Sequence, residues 1–344
     1  MEDLQTTYLG LKLRNPLIAG SCGLTNSIAH LKTLASKGIG AVVLKSLFEE
    51  QINVETEKVI KNEQGEIKVL TRATDTLFSR RIHDYDEAYS YIYDFAKRNT
   101  VDKYLDFLRE AKKTVEVPLI ASINCVSGID WHEFARKIQS TGVDALELNI
   151  YVLPSDWKRN GEENEKIYFD IIKEVKSYVD LPVAVKIGYY FSSLTRSVIN
   201  LSETGIEGLV LFNRPYSPDF DIDKLEICQG PVLSTAEEYN HTLRWVSILS
   251  GQLKCDISAT TGVHDYSAFI KQLLAGATTV QIASALYREG FDVITDILLK
   301  TEQWMRKHKF ENIDSFRGVL SRSNLENPAA IERVQFMKYY SGID

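Results

Sequence analysis

Two lysines, three asparagines and two small-residue turns carry the chemistry this chain can perform. Lys45-Ser46, Asn124, Asn149, Lys186 and Asn213-Arg214 each close a short apolar run, as do Ala19-Gly20-Ser21 at the start of the chain. Asparagine both donates and accepts, so it can read an amide or imide edge. Lysine brings positive charge to a place where negative charge sits or develops. At the end of one run such a residue reads as satisfaction of loop backbone. On five separate runs they read as a polar ring around one mouth. Thr260-Thr261-Gly262-Val263 and Ala283-Ser284-Ala285 place small residues just ahead of helical stretches. Main-chain N–H groups there can approach an anion, and a helix N-terminus favours it. Either segment alone is a tight turn; together they point to a phosphorylated ligand. The cysteines Cys22, Cys125, Cys228 and Cys255 form no CxxC pair or zinc spacing, so no metal is expected.

The elements that must position these residues repeat along the chain. SKGIGAVVLKS, STGVDALELNI, ETGIEGLVLFN and LAGATTVQIAS share one design: a helix-like end, a glycine, a polar step, then a branched apolar run. The glycines Gly38, Gly142, Gly205 and Gly276 fit the left-handed backbone that ends a helix. The runs are apolar on both faces or nearly so, as parallel strands covered by helices require. Pro16, Pro118 and Pro182 introduce further runs, where a lost donor costs least. Strands are expected over 16–20, 40–45, 118–123, 144–149, 183–187, 207–212, 254–258 and 278–283. Amphipathic stretches such as HEFARKIQS, EKIYFDIIKEVKSYV and YSAFIKQLLA lie between them. Eight strands alternating with helices predict a (β/α)8 TIM barrel in the α/β class, spanning 1–344 as one domain. The competing doubly wound sheet loses ground because no GxGxxG follows a strand. An excursion over 47–115, with a turn at 62–65, and a C-terminal helical extension over 311–344 exceed the barrel's needs.

Composition narrows the partners. The 344 residues carry a formal charge of −7 with no basic block, which argues against nucleic acid. No apolar run approaches the roughly 20 residues of a membrane span. The N-terminal stretch lacks the pattern of a signal peptide, so a reducing, cytoplasmic setting is expected.

The ordered segments NPLIAGS, GAVVLKS, ALELNI, VAVKIG, LVLFN, ISATTGV and VQIASAL resemble the dihydroorotate dehydrogenase family of FMN-binding barrels, most strongly from Ala145 onward. The early NP, with no membrane-associating extension, resembles the soluble class 1 branch. ELNIYVLPSD and LFNRPYSPDFD resemble a subgroup whose substrate is unsettled. The resemblance implies that Ala19, Gly20 and Ser21 back the isoalloxazine and ribityl chain, and that Lys45 and Ser46 meet the flavin beside the substrate. It places Asn124 and Asn149 on flavin or substrate edges, Lys186 on the N1/O2 side, Asn213 by the substrate, and Gly230 and Ser234 beside the flavin. Thr260, Thr261, Gly262, Ala283 and Ser284 would hold the FMN phosphate. Lys45, Asn149, Asn213 and Arg214 form the expected substrate set.

The departures bear on chemistry. The family's LNxSCPN or LNxSSPN loop carries its base at the Cys or Ser; here Val152 or Leu153 stands there, and an aliphatic side chain cannot be a base. NSMGLPN has no counterpart; Arg72 through His83 occupy that part of the chain. Tyr151 is the nearest replacement, suited by its ordinary pKa near 10 to donation rather than abstraction, with packing as the competing role. Ser155, Cys22 and Cys125 are further candidates. Arg80-Arg81, or Arg214, could grip a carboxylate, and His264 reads as capping or structural. The expectation is an FMN-dependent oxidoreductase acting on a CH–CH bond of a small molecule, with dihydroorotate to orotate as the named reaction. Lys45, Asn149 and Tyr151 are its catalytic set, and a homodimer is expected. Fumarate, NAD through a partner subunit, and oxygen stay open as electron acceptor. Two alternatives stand beside it: a Schiff-base lyase or aldolase using Lys186 or Lys45, and a non-catalytic flavin- or phosphate-binding protein.

Overall fold

A computed structural model describes residues 2–48, 101–124, 131–215 and 217–332. Eight parallel strands alternate with helices: β1 (Leu17–Ala19), β2 (Ala41–Val43), β3 (Leu119–Asn124), β4 (Ala145–Ile150), β5 (Val183–Ile187), β6 (Gly208–Leu211), β7 (Asp256–Ala259) and β8 (Thr279–Ile282). Each pairs with the next, β8 pairs with β1, and β2 pairs with β3, so the sheet closes into the expected (β/α)8 barrel. The expected strands are all present, with β7 displaced by about two residues because Asp256, not Lys254, opens the pairing. Leu47–Phe48 adds a short pairing beside the end of β3. The rest of the expected excursion, from 49 to 100, lies outside the described residues, and residues 101–114 are helical.

Local chemistry accounts for these elements. Gly38, Gly142, Gly205 and Gly276 all have positive φ, +98°, +83°, +85° and +113°, where a side chain would be strained. Pro16, Pro118 and Pro182 lie just before β1, β3 and β5 and contribute only carbonyls, which accept from Val280, Val42 and Leu146. The helix Gly161–Lys176 begins in a capping box between Asn160 and Glu163. The helix Tyr266–Ala275 is capped by Asp265, which accepts from Ala268 N at 2.8 Å.

Alternation along the strands sorts side chains into two layers. Leu17, Ala19, Val42, Leu146, Val185 and Leu209 pack outward under the helices. Ile18, Ala41, Val43, Ile120, Ala145, Ala184 and Val210 fill the lower interior. An N-terminal hairpin, Thr6–Tyr8 with Leu11–Leu13, closes the bottom and contributes Tyr8, Leu9 and Leu13 to that same cluster. Gly208 makes room for it: a Cβ there would lie 2.5 Å from Leu9 Cδ2. The described part of the C-terminal stretch, 311–332, packs against the barrel, with Leu320 N donating to Leu274 O and Arg317 Nη2 to Thr6 Oγ1. One insertion was not expected: between β6 and the helix Tyr239–Leu249 the chain forms an antiparallel hairpin, Pro218–Asp221 with Glu226–Gln229. No helix among the described residues is long and apolar enough to cross a membrane.

Candidate active site

With the bottom plugged, the upper ends of the strands form the open mouth. Asn124, Asn149 and Lys186 are register partners across β3, β4 and β5, so they lie side by side in one layer. Asn213 joins them from the end of β6: its Nδ2 donates to Asn149 Oδ1 at 2.9 Å, and its backbone N to Ile187 O. A hydroxyl chain runs the other way. Ser46 N donates to Ser21 Oγ (2.8 Å), Ser46 Oγ lies 2.9 Å from Ser21 Oγ, and Ser122 Oγ lies 2.7 Å from Ser46 Oγ. Lys45 follows β2 after Leu44, and its backbone N donates to Thr25 O. Among the described residues neither Lys45 nor Lys186 has an ion-pair partner.

Beside this layer lies a cavity of about 470 Å³, within the roughly 300–1,000 Å³ of small-molecule sites. Ser21, Lys186, Asn213, Ser234, Thr260, Thr261, Gly262, Ala283 and Ser284 all line it. Among the described residues no carboxylate lines it, while Lys186 does, so its charge suits an anionic ligand. Its wall is tightly tied. Ser234 N donates to Ser284 Oγ (2.9 Å), Gly262 N to Ser234 Oγ (3.3 Å), and Ser234 Oγ lies 3.1 Å from His264 Nε2. Burial, and then Arg288, lower the His264 pKa, which keeps the ring neutral at pH 7. Gly262, at φ +78°, brings its main chain against Tyr239; a Cβ would sit 2.1 Å from Tyr239 N.

The remaining expected residues are placed as follows. Ala19 packs outward, so only its backbone reaches the mouth. Gly20 abuts Gln281, whose Oε1 would be 3.2 Å from a Cβ there. Gly230 is pressed against Ser217 O at the root of the hairpin and does not line the cavity. Arg214 lines the cavity, but its guanidinium is engaged within the chain: Nε and Nη2 donate to Glu238, and Nη1 to the carbonyls of Pro231 and Val232. Tyr151 lies outside the cavity, its ring against Gly188 and edge-on to Tyr190, with centroids 6.1 Å apart. Burial, with Tyr190 beside it, raises its pKa above that of an ordinary phenol, so it holds its proton. Val152 is half-buried, Leu153 exposed, and Val152 N donates to Tyr168. Burial raises the Cys22 thiol, leaving it a poor nucleophile. Cys125, Arg80 and Arg81 lie outside the described residues.

Sequence reasoning missed Gln281, Tyr287 and Glu238. Gln281 was within reach of inspection, because strict alternation in TVQI turns it inward. It is 1% exposed, donates from Nε2 to the buried Glu147 Oε2 at 2.8 Å, and leaves its own Oε1 without a partner on the cavity floor. Among the described residues no cluster of side chains could hold a metal.

Comparison with known proteins agrees with this geometry. The family described as "Dihydroorotate dehydrogenase" matches residues 87–305. The "Dihydroorotate dehydrogenase B (NAD(+)), catalytic subunit" of Thermoplasma volcanium is 26% identical over 337 residues, covering 93% of this chain and 99% of that protein. That of Saccharolobus solfataricus is 31% identical over 209 residues, 57% of this chain and 68% of that protein. The chloroplastic "Dihydropyrimidine dehydrogenase (NADP(+))" of Arabidopsis thaliana is 23% identical over 341 residues, 92% of this chain and 76% of that protein. By fold, by the residues gathered at the barrel mouth and by this match, the chain belongs to the dihydroorotate dehydrogenase family.

Proposed function

We propose that the protein is an FMN-dependent oxidoreductase acting on the CH–CH bond of a small cyclic substrate, with dihydroorotate to orotate as the first reaction to test. The observation that carries this reading is the convergence of nine expected cofactor residues on one cavity, with no carboxylate among its described lining residues, beside the Asn124–Asn149–Lys186 layer. FMN fits the donor set. Ser234, Gly262 and Ser284 would hold its phosphate, and Lys186 would face the ring. The orphaned Gln281 Oε1 offers a buried acceptor to a ligand N–H or O–H. When bound, FMN supplies the hydride acceptor.

The chain's own residues then divide the work. Asn149 and Asn213, locked together by their hydrogen bond, fix the edge of the substrate. Lys45 and Lys186 offset negative charge that develops in the ring system. Tyr151, protonated at its phenol oxygen, lies on the loop that carries the base in the class 1 pattern; it would give that proton to the substrate carbon when the C=C bond is reduced, and in the dehydrogenating direction the carbon's proton would return to the same oxygen. With Val152 and Leu153 at the base position, the chain is a class 1-like, soluble member without the usual Cys or Ser. The relatives named as NAD(+) catalytic subunits support an electron-transfer partner subunit.

Purified protein is expected to be yellow and to release FMN on denaturation, and dihydroorotate is expected to bleach it anaerobically. A colourless protein that refuses added FMN would overturn the flavin reading. Retained FMN with no bleaching would overturn dihydroorotate alone, and a panel of related dihydropyrimidines would then find the substrate. Borohydride trapping of a carbonyl ligand on Lys186 or Lys45 would replace both with Schiff-base chemistry.

A further inference from the structure

Two long polar side chains meet inside the barrel, Glu147 from β4 and Gln281 from β8. Alternation along each strand turns them inward, to the level of Ser122, Ala184 and Ile18, which are their register neighbours. Each is 1% exposed. Gln281 Nε2 donates to Glu147 Oε2 at 2.8 Å, which ties two strands on opposite sides of the barrel. Each partner keeps one buried oxygen without a hydrogen bond, Glu147 Oε1 and Gln281 Oε1. Such a pair is a poor device for stability. Buried acceptors left unpaired cost free energy, and well-packed apolar residues of similar volume often serve a core as well or better. The pair therefore needs a reason other than holding the barrel together.

We propose that Glu147 is a positioning residue: it fixes the Gln281 amide so that an acceptor, not a donor, is left at the cavity floor, and that acceptor takes a hydroxyl of the FMN ribityl chain. The inference rests on the flavin reading above. A side-chain amide can turn either its oxygen or its nitrogen toward a neighbour. Glu147 Oε2 decides which, because it accepts from Nε2 and would repel Oε1. Gln281 lines the cavity, and its Oε1 lies beside Gly20, 3.2 Å from where a Cβ would stand. A side chain at Gly20 would therefore crowd this oxygen, and glycine leaves it clear. The part of the cofactor that Gln281 meets follows from its place on the strand. It precedes Ala283 and Ser284, at the end proposed for the phosphate, by two and three residues. Lys186, proposed to face the ring, comes from β5, and β6 and β7 separate that strand from β8. The stretch between a phosphate and a ring is the polyol, whose hydroxyls can donate to Oε1. With its oxygen fixed in place before the ligand arrives, the site spends nothing on turning the amide when the chain binds.

The test is the preference of the full-length protein for FMN over its 2′-deoxy, 3′-deoxy and 4′-deoxy analogues, each exchanged into the protein and titrated by flavin fluorescence. One of these analogues is expected to bind about tenfold more weakly than FMN, the cost of a lost hydrogen bond to a buried acceptor. Glu147→Leu removes the acceptor for Nε2 and frees the amide to turn, so the preference is expected to fall to about twofold or less. Gln281→Leu deletes the amide and is expected to do the same. Glu147→Gln keeps an oxygen for Nε2 and is expected to keep the preference. A residue that only supported the fold would weaken FMN and analogue alike and leave their ratio untouched. Because Glu147→Leu could misfold, Gln281→Leu and Glu147→Gln give the ratio independently. Equal affinity of the parent for FMN and every analogue overturns the proposal. So does a Glu147→Leu or Gln281→Leu protein that keeps the parent's ratio, or a Glu147→Gln protein that loses it. In each of those cases FMN is still bound, so the flavin reading stands. A parent that takes up neither FMN nor any analogue overturns both.

Discussion

Lys186 sits in the strand-end layer and Tyr151 on the loop just beyond β4, and they take different roles, which makes each testable alone. Lys186 lines the cavity with no counter-ion among the described residues, so its charge is available to a bound ring. Lys186→Ala should lower the reduction potential of the bound flavin by at least about 30 mV, the two-electron equivalent of about 1.4 kcal/mol. Photoreduction against a reference dye reads this directly, and an unchanged potential removes Lys186 from the ring. Tyr151 carries a phenol whose proton is held by burial and by Tyr190. Tyr151→Phe keeps the ring against Gly188 and deletes only the hydroxyl. Turnover should fall by about 10²-fold or more, in the range for a lost acid or base, with flavin binding intact. Equal turnover would leave Tyr151 a packing residue. The two positions also show what sequence can and cannot reveal. Lys186 was legible because it ends a strand whose period is unambiguous. The place of Tyr151 was not, since it depends on Gly188 being bare and on Tyr190 from another loop.

The elements divide the same way. The recurring glycines announced the helix ends, and all four have the left-handed backbone that their position after each helix requires. The inserted hairpin escaped notice because its apolar face looks outward, so PDFDIDKLEIC reads as polar loop under any rule that sends apolar residues to a core. Arg214 was legible as a charged strand end, but its partner Glu238 lies twenty-four residues on and joins it only through the returning loop. Gly262 ties element to site: it lets the turn after β7 pass against the start of the helix Tyr239–Leu249. Gly262→Ala would set a methyl 2.1 Å from Tyr239 N at a φ of +78°. We expect a loss of about 2–3 kcal/mol, from positive-φ strain together with a displaced helix start. Both the urea midpoint and FMN retention should fall; an unchanged midpoint would mean the turn relaxes freely.

At the scale of the whole molecule, the barrel is sealed below and open above, and a half-buried carboxylate helps to tie the seal in place. Asp256, at the foot of β7, accepts from Leu9 N of the N-terminal hairpin at 2.8 Å and from Thr278 Oγ1 at 3.3 Å. Burial nevertheless dominates and raises its pKa above the ordinary 3.8, with the Leu9 bond opposing. The sign of the stability effect follows. The folded state holds this proton to higher pH than the unfolded chain does. The contribution is therefore complete below pH 3.8 and is lost as pH rises through the raised value. Asp256→Asn keeps an oxygen for Leu9 N and abolishes the titration. Relative to the parent, the variant should gain stability as pH climbs from about 4 toward neutrality, read as the difference between paired urea midpoints at each pH. A difference that stays constant across that interval would show that Asp256 is as well solvated in the fold as out of it. The hairpin would then be held by Tyr8, Leu9 and Leu13 packing alone.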